Sequence, residues 1–283
     1  MCLIALALNQ HPRFELVVAA NRDEFLQRPT AALDWWPSTL GTGPVLGGRD
    51  LQAGGTWPGL TAAGRIAMLT NVRDLARNDP AAPSRGAVVP AWLATNGSPE
   101  EFWRVTRTNG HNPFNLIAAD LAQGQWWWAD DLATGPRKLG PGLYGLSNAA
   151  LDTPWPKVRR LKGALADALV ACGSIEEVEA RMFAALADRS TQPDVALPDT
   201  GIGLERERWL APSFIRTPDA RYGTRCSTLL IAERHADGLS ASIVERAFDR
   251  SGKAISQRRT RLQTWPSPRG EVSPVEDEVF TAV

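Results

Sequence analysis

The sequence has few of the residues that hold secreted and metal-dependent folds together. Its 283 residues include only three cysteines and three histidines, and neither type occurs in a closely spaced pair. Small secreted domains rely on paired cysteines, and zinc sites need His or Cys ligands at short spacing. We therefore expect neither a disulfide framework nor a metal site, and we predict a cytoplasmic location.

The sequence also lacks an excess charge of one sign and long apolar runs. Thirty-one Lys and Arg balance 31 Asp and Glu, so the chain has no positive field for binding nucleic acids or anionic membranes. The longest apolar runs, 2–8 and 16–20, are far shorter than the roughly 18 residues of a membrane helix. The first residues show no basic leader of a secretory signal. We expect no nucleic-acid partner and no stable membrane insertion.

Short apolar runs between turn residues predict antiparallel strands. Residues 2–9 and 14–21 flank a turn signal and predict a hairpin. After a loop at 22–42, a second hairpin is predicted to end at Asn71. Further strand-like runs lie at 114–121, 124–131, 143–148, 225–233, 241–248 and 258–265.

Helical patterns occur between these runs, at 84–96, from Ser98, at 155–172 and at 174–188. Two of them begin with a capping box, Ser98 with Glu101 and Ser174 with Glu177. Because the strands follow one another at hairpin spacing without βαβ crossovers, the order predicts an α+β fold of mostly antiparallel sheets covered by helices. No linker divides the chain, so we predict one domain over 1–283, with 266–283 as a loose tail.

Cys2 is the strongest candidate for a catalytic residue. Removal of Met1 would place a thiol and a free α-amine on the same residue. The amine, with a usual pKa of about 7.7–8.0, can accept the proton of a thiol whose usual pKa is about 8.5. This is the arrangement of an N-terminal nucleophile; the alternative is an inert apolar cysteine in a strand.

A polar segment, Asn21-Arg22-Asp23-Glu24, ends the second predicted strand, and the hairpin should bring it near Cys2. Arg22 could hold a thiolate or a substrate carboxylate, and Asp23 could bind the ammonium of the new chain end. The alternative is a solvated turn with a local ion pair.

Three further residues stand at the ends of strand-like runs. Asn71 and Asn148 could donate to a developing oxyanion, although each also suits a turn. Arg225 could bind a carboxylate or lie at the surface.

Several segments together resemble the NRDE family, whose animal member is transport and Golgi organisation protein two. They are, in order, MCLIALAL, AANRDEFLQRP, GGTWPGL, LTNVRD, FNLIAADL, YGLSNA followed by TPWPK, and YGTRCSTLLI. They extend from residue 1 to about 233, and their agreement in order makes the resemblance specific.

This family is more remotely similar to N-terminal nucleophile hydrolases of the choloylglycine and penicillin acylase type. The resemblance implies a four-layer αββα sandwich that cleaves amide bonds, with Cys2 as the first residue of the mature chain. The resemblance implies a strand-end motif Arg-x-x-Asp about sixteen residues after the N-terminal cysteine, whereas here the Arg and the acid stand at a different separation, within Asn21-Arg22-Asp23-Glu24. The resemblance further implies that Asn71 and Asn148 are the oxyanion asparagines and Arg225 the late arginine.

One function that follows is a cysteine hydrolase acting on amide or related acyl bonds of a small molecule, without a cofactor. The alternative is a non-catalytic haem or lipid carrier on the same fold, because animal members have been proposed to act in haem trafficking and lipid homeostasis. In that case Trp35 and Trp57 would line an apolar pocket, and His111, Cys2 or Cys226 could be axial haem ligands.

Overall fold

The structure is a computed structural model that describes residues 2–38, 40, 43–131 and 135–267 and the backbone of 278–281. Within these residues the strands are β1 Cys2–Leu8, β2 Phe14–Phe25, β3 Thr30–Pro37, β4 Pro44–Asp50, β5 Pro58–Thr61, β6 Arg65–Asn71, β7 Phe114–Asp120, β8 Gln125–Asp130, β9 Arg137–Lys138, β10 Gly142–Leu146, β11 Tyr222–His235, β12 Gly238–Phe248, β13 Ala254–Leu262 and β14 Glu278–Thr281. The α-helices are α1 Val88–Ala94, α2 Pro99–Thr106, α3 Pro156–Ala171, α4 Ile175–Leu186 and α5 Leu204–Leu210.

The strands form two seven-stranded antiparallel sheets. The first has the order β10-β1-β2-β11-β12-β13-β14, and the second runs from β3 to β9 in chain order. In the first sheet the hairpin β1-β2 lies between β10 and β11, which come from much later in the chain. The site therefore depends on strand pairs that join distant segments.

The two sheets pack face to face, with helices on both outer faces. Alternate residues of β1 show this arrangement: Ile4 and Leu6 lie in the apolar cluster between the sheets, whereas Leu3 and Ala5 pack in the cluster with α3 and α4. A third cluster joins the second sheet to α1 and α2. Because both faces of β1 are buried, its sequence is a continuous apolar run. The four-layer αββα sandwich implied by the resemblance is confirmed.

The first predicted hairpin is present, and Ser98 and Ser174 cap the N-termini of their helices as the capping-box spacing predicts. The hydroxyl of Ser98 accepts from the backbone N–H of Glu101 at 3.1 Å, and that of Ser174 accepts from the N–H of Glu177 at 3.2 Å. The longest of the described helices, α3, has 16 residues. No helix in the described ranges combines the length and the apolar character needed to cross a membrane.

Several elements differ from the sequence-based expectations. The predicted loop at 22–42 contains strand β3, and β2 continues through the polar segment to Phe25. Residues 39, 41 and 42 of that loop lie outside the described part. Helix α5 was not predicted from the sequence, and part of the tail, 278–281, pairs with β13. These elements are stabilised by neighbouring strands and helices, which short sequence windows do not reveal.

Candidate active site

Cys2 begins β1 and lies at the wall of a cavity of about 460 Å³. It pairs with Arg22 of β2, and its side chain is 9% exposed. Three other predicted residues, Arg22, Asp23 and Asn71, line the same cavity. Met1 lies outside the described residues. The structure thus brings four of the six residues predicted for catalysis to one cavity.

Arg22 is held firmly on the side of the cavity that faces the second sheet. Its guanidinium carbon lies 4.2 Å from the centre of the Trp57 ring, and Nη1 donates to Oγ1 of Thr30 at 3.1 Å. Carboxylate oxygens of Glu24 and Asp50 are each 3.9 Å from Nη2. Since Arg22 is only 5% exposed, the segment at 21–24 is a buried strand and not a solvated turn.

Asp23, the residue after Arg22 in β2, is also buried. Its Oδ1 accepts from the hydroxyl of Thr224 at 2.7 Å, and its carbonyl oxygen accepts from the hydroxyl of Tyr222 at 2.7 Å. Burial raises the pKa of Asp23, while the positive charge of Lys157 acts in the opposite direction. A buried carboxylate of this kind favours a cation beside it.

Lys157, on the first turn of α3, is a site residue that the sequence analysis missed. It is 4% exposed, and its Nζ donates to the carbonyl oxygen of Leu210 at 3.0 Å. Burial lowers the pKa of Lys157 to about 8, although Asp23 counteracts this. The only signal in the sequence was its place in the segment TPWPK, which does not show that the side chain turns inward.

The same surroundings determine the pKa of the Cys2 thiol. Burial raises its pKa, Asp23 acts in the same direction, and Arg22 acts against them. Cys2 is therefore a neutral thiol near pH 7. Attack on a carbonyl requires a base that accepts its proton during the reaction.

The two predicted oxyanion residues occupy different positions. Asn71 ends β6 and lines the cavity. Asn148 is 1% exposed and lies behind Asn71, and its Nδ2 donates to the carbonyl oxygen of Asn71 at 2.8 Å. The hydroxyl of Ser147 lies 3.1 Å from the carbonyl oxygen of Cys2 and 3.2 Å from Oδ1 of Asn148. Asn148 thus supports the backbone of Asn71 from behind and is not part of the cavity lining.

Arg225 is placed outside the lining of this cavity. Its Nη1 donates to the carbonyl oxygens of Phe25, Leu26 and Arg28, at 3.0, 3.1 and 2.8 Å. The guanidinium therefore holds the turn that follows β2, and it is not directed at a ligand.

The residues predicted to bind a flat ligand are dispersed. Trp57 lines the cavity beneath Arg22, but Trp35 packs against the core between the sheets. His111 is outside the lining, with Nδ1 3.2 Å from the carbonyl oxygen of Pro83 and its ring edge-on to Phe114. Only Trp57 of these three is positioned to contact a bound molecule in the cavity.

A second cavity of about 700 Å³ adjoins the first. Glu24, Arg28, Asn71 and Arg85 line both. The remaining lining of the second cavity includes the apolar side chains Phe25, Leu75, Ile202, Trp209 and Leu210. The site can therefore accept a molecule that is longer than the first cavity alone would hold.

Comparisons with known proteins agree with the resemblance in the sequence. The family model described as Transport and Golgi organisation 2 matches residues 1–250. The Transport and Golgi organization protein 2 homolog of Bos taurus is 34% identical over 262 residues, covering 84% of this chain and 90% of that protein. The homolog of Homo sapiens is 32% identical over 281 residues, covering 92% and 97%.

Among solved structures, the chain is similar to the Caenorhabditis elegans N-acylethanolamine-hydrolyzing acid amidase ortholog. The identity is 13%, the TM-score is 0.44, and the match covers 81% of this chain and 92% of that one. The family match over residues 1–250 and the two animal relatives are sufficient for assignment. The chain belongs to the Transport and Golgi organisation 2 family.

Proposed function

We propose that this protein is an N-terminal cysteine hydrolase that acts on an amide or related acyl bond of a small molecule. The observation that supports it best is the position of Cys2 on a cavity wall together with Arg22, Asp23 and Asn71. Removal of Met1 is part of the proposal, because it supplies the base that a neutral thiol needs.

The proposed reaction has two stages. The sulfur of Cys2 attacks the carbonyl carbon while the thiol proton passes to the α-amine, and the carbonyl oxygen becomes an oxyanion. The C–N bond then breaks, the ammonium returns its proton to the leaving amine, and a thioester remains on Cys2. Water hydrolyses this thioester and releases the acid, which regenerates the thiol.

The surrounding residues suit these steps. Asn71 lines the cavity and is the candidate oxyanion donor, and Asn148 keeps its backbone in place. The buried carboxylate of Asp23 would stabilise the ammonium form of the α-amine. Arg22 favours thiolate character at Cys2, because its charge lowers the pKa of that thiol.

The proposal is tested by intact-mass measurement followed by labelling with a β-lactone probe and peptide mapping. We expect a mass that lacks Met1 and a label on Cys2 that disappears in Cys2→Ala. Cys226→Ala is the matched control, since Cys226 pairs with Arg22 from the opposite side and is also buried. A native protein that retains Met1, or a label found on Cys172 or Cys226 instead, would refute the proposal.

A non-catalytic carrier of haem or lipid is a second candidate, and the second cavity favours it. Phe25 and Leu75 line that cavity and are more than half exposed, at 53% and 55%. For haem, Cys2 is the predicted axial ligand that lines one of the two cavities. No described histidine lines either cavity. A haem titration with a Soret shift that Cys2→Ala abolishes would support this candidate. Weak binding with the same spectrum in both proteins would contradict it.

A further inference from the structure

Arg85 stands at the junction of the two cavities. It lies in a 3-10 turn at 85–87 and lines both of them. Its Nη1 donates to the carbonyl oxygen of Pro113 at 3.1 Å, which fixes one side of the half-buried guanidinium. It shares the lining of the first cavity with Cys2, and burial lowers the pKa of Arg85 while the negative charge of Glu24 opposes this. Arg85 is therefore close enough to the proposed nucleophile to influence what binds there.

Packing of the backbone fixes the turn that carries Arg85. Gly55 lies so close to Gly86 that a Cβ at residue 55 would be 2.0 Å from the carbonyl oxygen of Gly86. The N–H of Thr56 donates to that same oxygen at 3.3 Å. Arg85 is thus presented by a close contact between two loops, and its position does not depend on a flexible surface segment.

Two carboxylates that line the first cavity, Glu24 and Asp50, already lie beside other arginines. Asp50 accepts from Nε of Arg28 at 2.8 Å and also lies 2.7 Å from its Nη2. Glu24 is 3.9 Å from both Arg22 and Arg28 and accepts from the backbone N–H of Phe25 at 2.8 Å. These two acids therefore pair with Arg22 and Arg28, two of the three arginines that line the first cavity.

Arg85 remains as the additional cation. Within the described part of the chain, none of the carboxylates lies within 4.0 Å of its guanidinium. Arginine stays charged at any physiological pH, and a charge that is partly withdrawn from water is costly without a partner. A ligand that supplies an anion at this point would remove that cost. The planar fork of the guanidinium matches a carboxylate or a phosphate.

The second cavity indicates what would be attached to the anion. Leu75, Ile202 and Trp209 offer apolar surface beyond Arg85, on the side away from Cys2's cavity. We infer that Arg85 binds a carboxylate or phosphate group of the substrate at the junction, while an apolar part of the substrate occupies the second cavity. That the bound molecule is a substrate rests on the hydrolase function proposed above. The binding itself does not require catalysis.

The test measures binding to Cys2→Ala protein, so that turnover cannot interfere. The probes are N-decanoylglycine, its neutral analogue N-decanoylglycinamide, and N-decanoyl-phosphoethanolamine. Trp57 and Trp209 line the two cavities, and their fluorescence reports binding. We expect one or both anions to bind at least about tenfold more tightly than the amide. The tighter of the two identifies the anion as carboxylate or phosphate.

Variants at Arg85 locate the effect. Arg85→Gln should remove the preference for the anion and leave the affinity for the amide unchanged, and Arg85→Lys should retain part of the preference. Arg104→Gln, at an exposed position of α2, is the control and should behave as the unsubstituted protein. Thermal unfolding verifies that each variant is folded.

Equal affinity for N-decanoylglycine, N-decanoyl-phosphoethanolamine and the amide would overturn the inference. So would an Arg85→Gln protein that is folded and indistinguishable from Arg104→Gln. Because these measurements use a protein without the thiol, their result is independent of the labelling of Cys2. Failure of the hydrolase and failure of anion binding are therefore separate outcomes.

Discussion

Cys2 and Arg22 lie directly opposite each other in the antiparallel register of β1 and β2, and both side chains project toward the second sheet. Opposite residues of antiparallel strands share one face of the sheet. The next residue of β2, Asp23, belongs to the other face, where Lys157 of α3 affects its charge. The pleat of a single hairpin thus places a thiol and a guanidinium on one face of the sheet and a buried carboxylate next to them on the other face.

The pairing of Cys2 with Arg22 should be visible in thiol reactivity. Burial raises the pKa of Cys2 and the charge of Arg22 lowers it. Removal of Arg22 should therefore raise the pKa of Cys2 further. We expect the rate of Cys2 alkylation by iodoacetamide to keep increasing with pH beyond about 8.5, the usual pKa of a thiol. In Arg22→Gln the same increase should occur at higher pH.

Arg49→Gln is the matched control for this experiment. Arg49 also lies over a tryptophan, 5.1 Å from the ring centre of Trp36, but it is not among the lining residues of the Cys2 cavity. A shift of equal size in both variants would show that the effect does not arise from the pair of Cys2 and Arg22.

Lys157 should make stability depend on pH in the alkaline range. Its pKa is lowered to about 8 in the folded protein from a usual 10.5. Between these values the unfolded chain binds the proton that the folded chain has lost, so the free energy of unfolding rises with pH. Relative to Lys157→Met, we expect the free energy of unfolding of the unsubstituted protein to increase by up to about 3 kcal/mol between pH 8 and 10.5, as measured by urea unfolding.

The exposed Lys138 of β9 provides a reference for that measurement. Lys138→Met should show the same alkaline dependence as the unsubstituted protein. If Lys157→Met and Lys138→Met have parallel profiles, the pKa of Lys157 is not lowered by folding.

Substitutions of Asn71 and Asn148 should have different effects on activity and stability, because Asn71 lines the cavity and Asn148 supports the backbone of Asn71. Asn148→Ala removes a buried hydrogen bond to the carbonyl of Asn71 and should lower the free energy of unfolding by about 1–3 kcal/mol. Asn71→Ala should leave stability nearly unchanged but slow acylation of Cys2 by p-nitrophenyl acetate about a hundredfold. The release of p-nitrophenol and urea unfolding measure the two effects. Loss of stability in Asn71→Ala without slower acylation would contradict this assignment.

Gly55 should be intolerant of even one added methyl group. In Gly55→Ala the new Cβ would meet the carbonyl of Gly86, so the turn carrying Arg85 must move. We expect a loss of about 1–3 kcal/mol in unfolding free energy, together with a weaker preference for N-decanoylglycine over its amide. Gly163→Ala, in α3 with open space around the position, should instead be stabilising by about 0.5–1 kcal/mol. Equal stability of the two variants would show that the loops adjust without cost.

Much of the fold could be predicted because its signals are local. The hairpin β1-β2 follows from two apolar runs around a turn, and the N-caps at Ser98 and Ser174 follow from a spacing of three residues. The nearness of Cys2 and Arg22 has the same origin, since a hairpin pairs its two strand ends. Strand β3 and helix α5 were missed because their stability comes from partners elsewhere in the fold.

The sequence by itself determined the residue types of the site and the hairpin that joins Cys2 to the segment at 21–24. Only the tertiary structure decided which residues face the cavity: it placed Asn71 there and Asn148 behind it, and it directed Arg225 to backbone carbonyls. The physical reason is that burial and charge pairing depend on strands and helices far apart in the chain. Lys157 and Arg85 acquire their properties from such contacts, and no short window of sequence contains them.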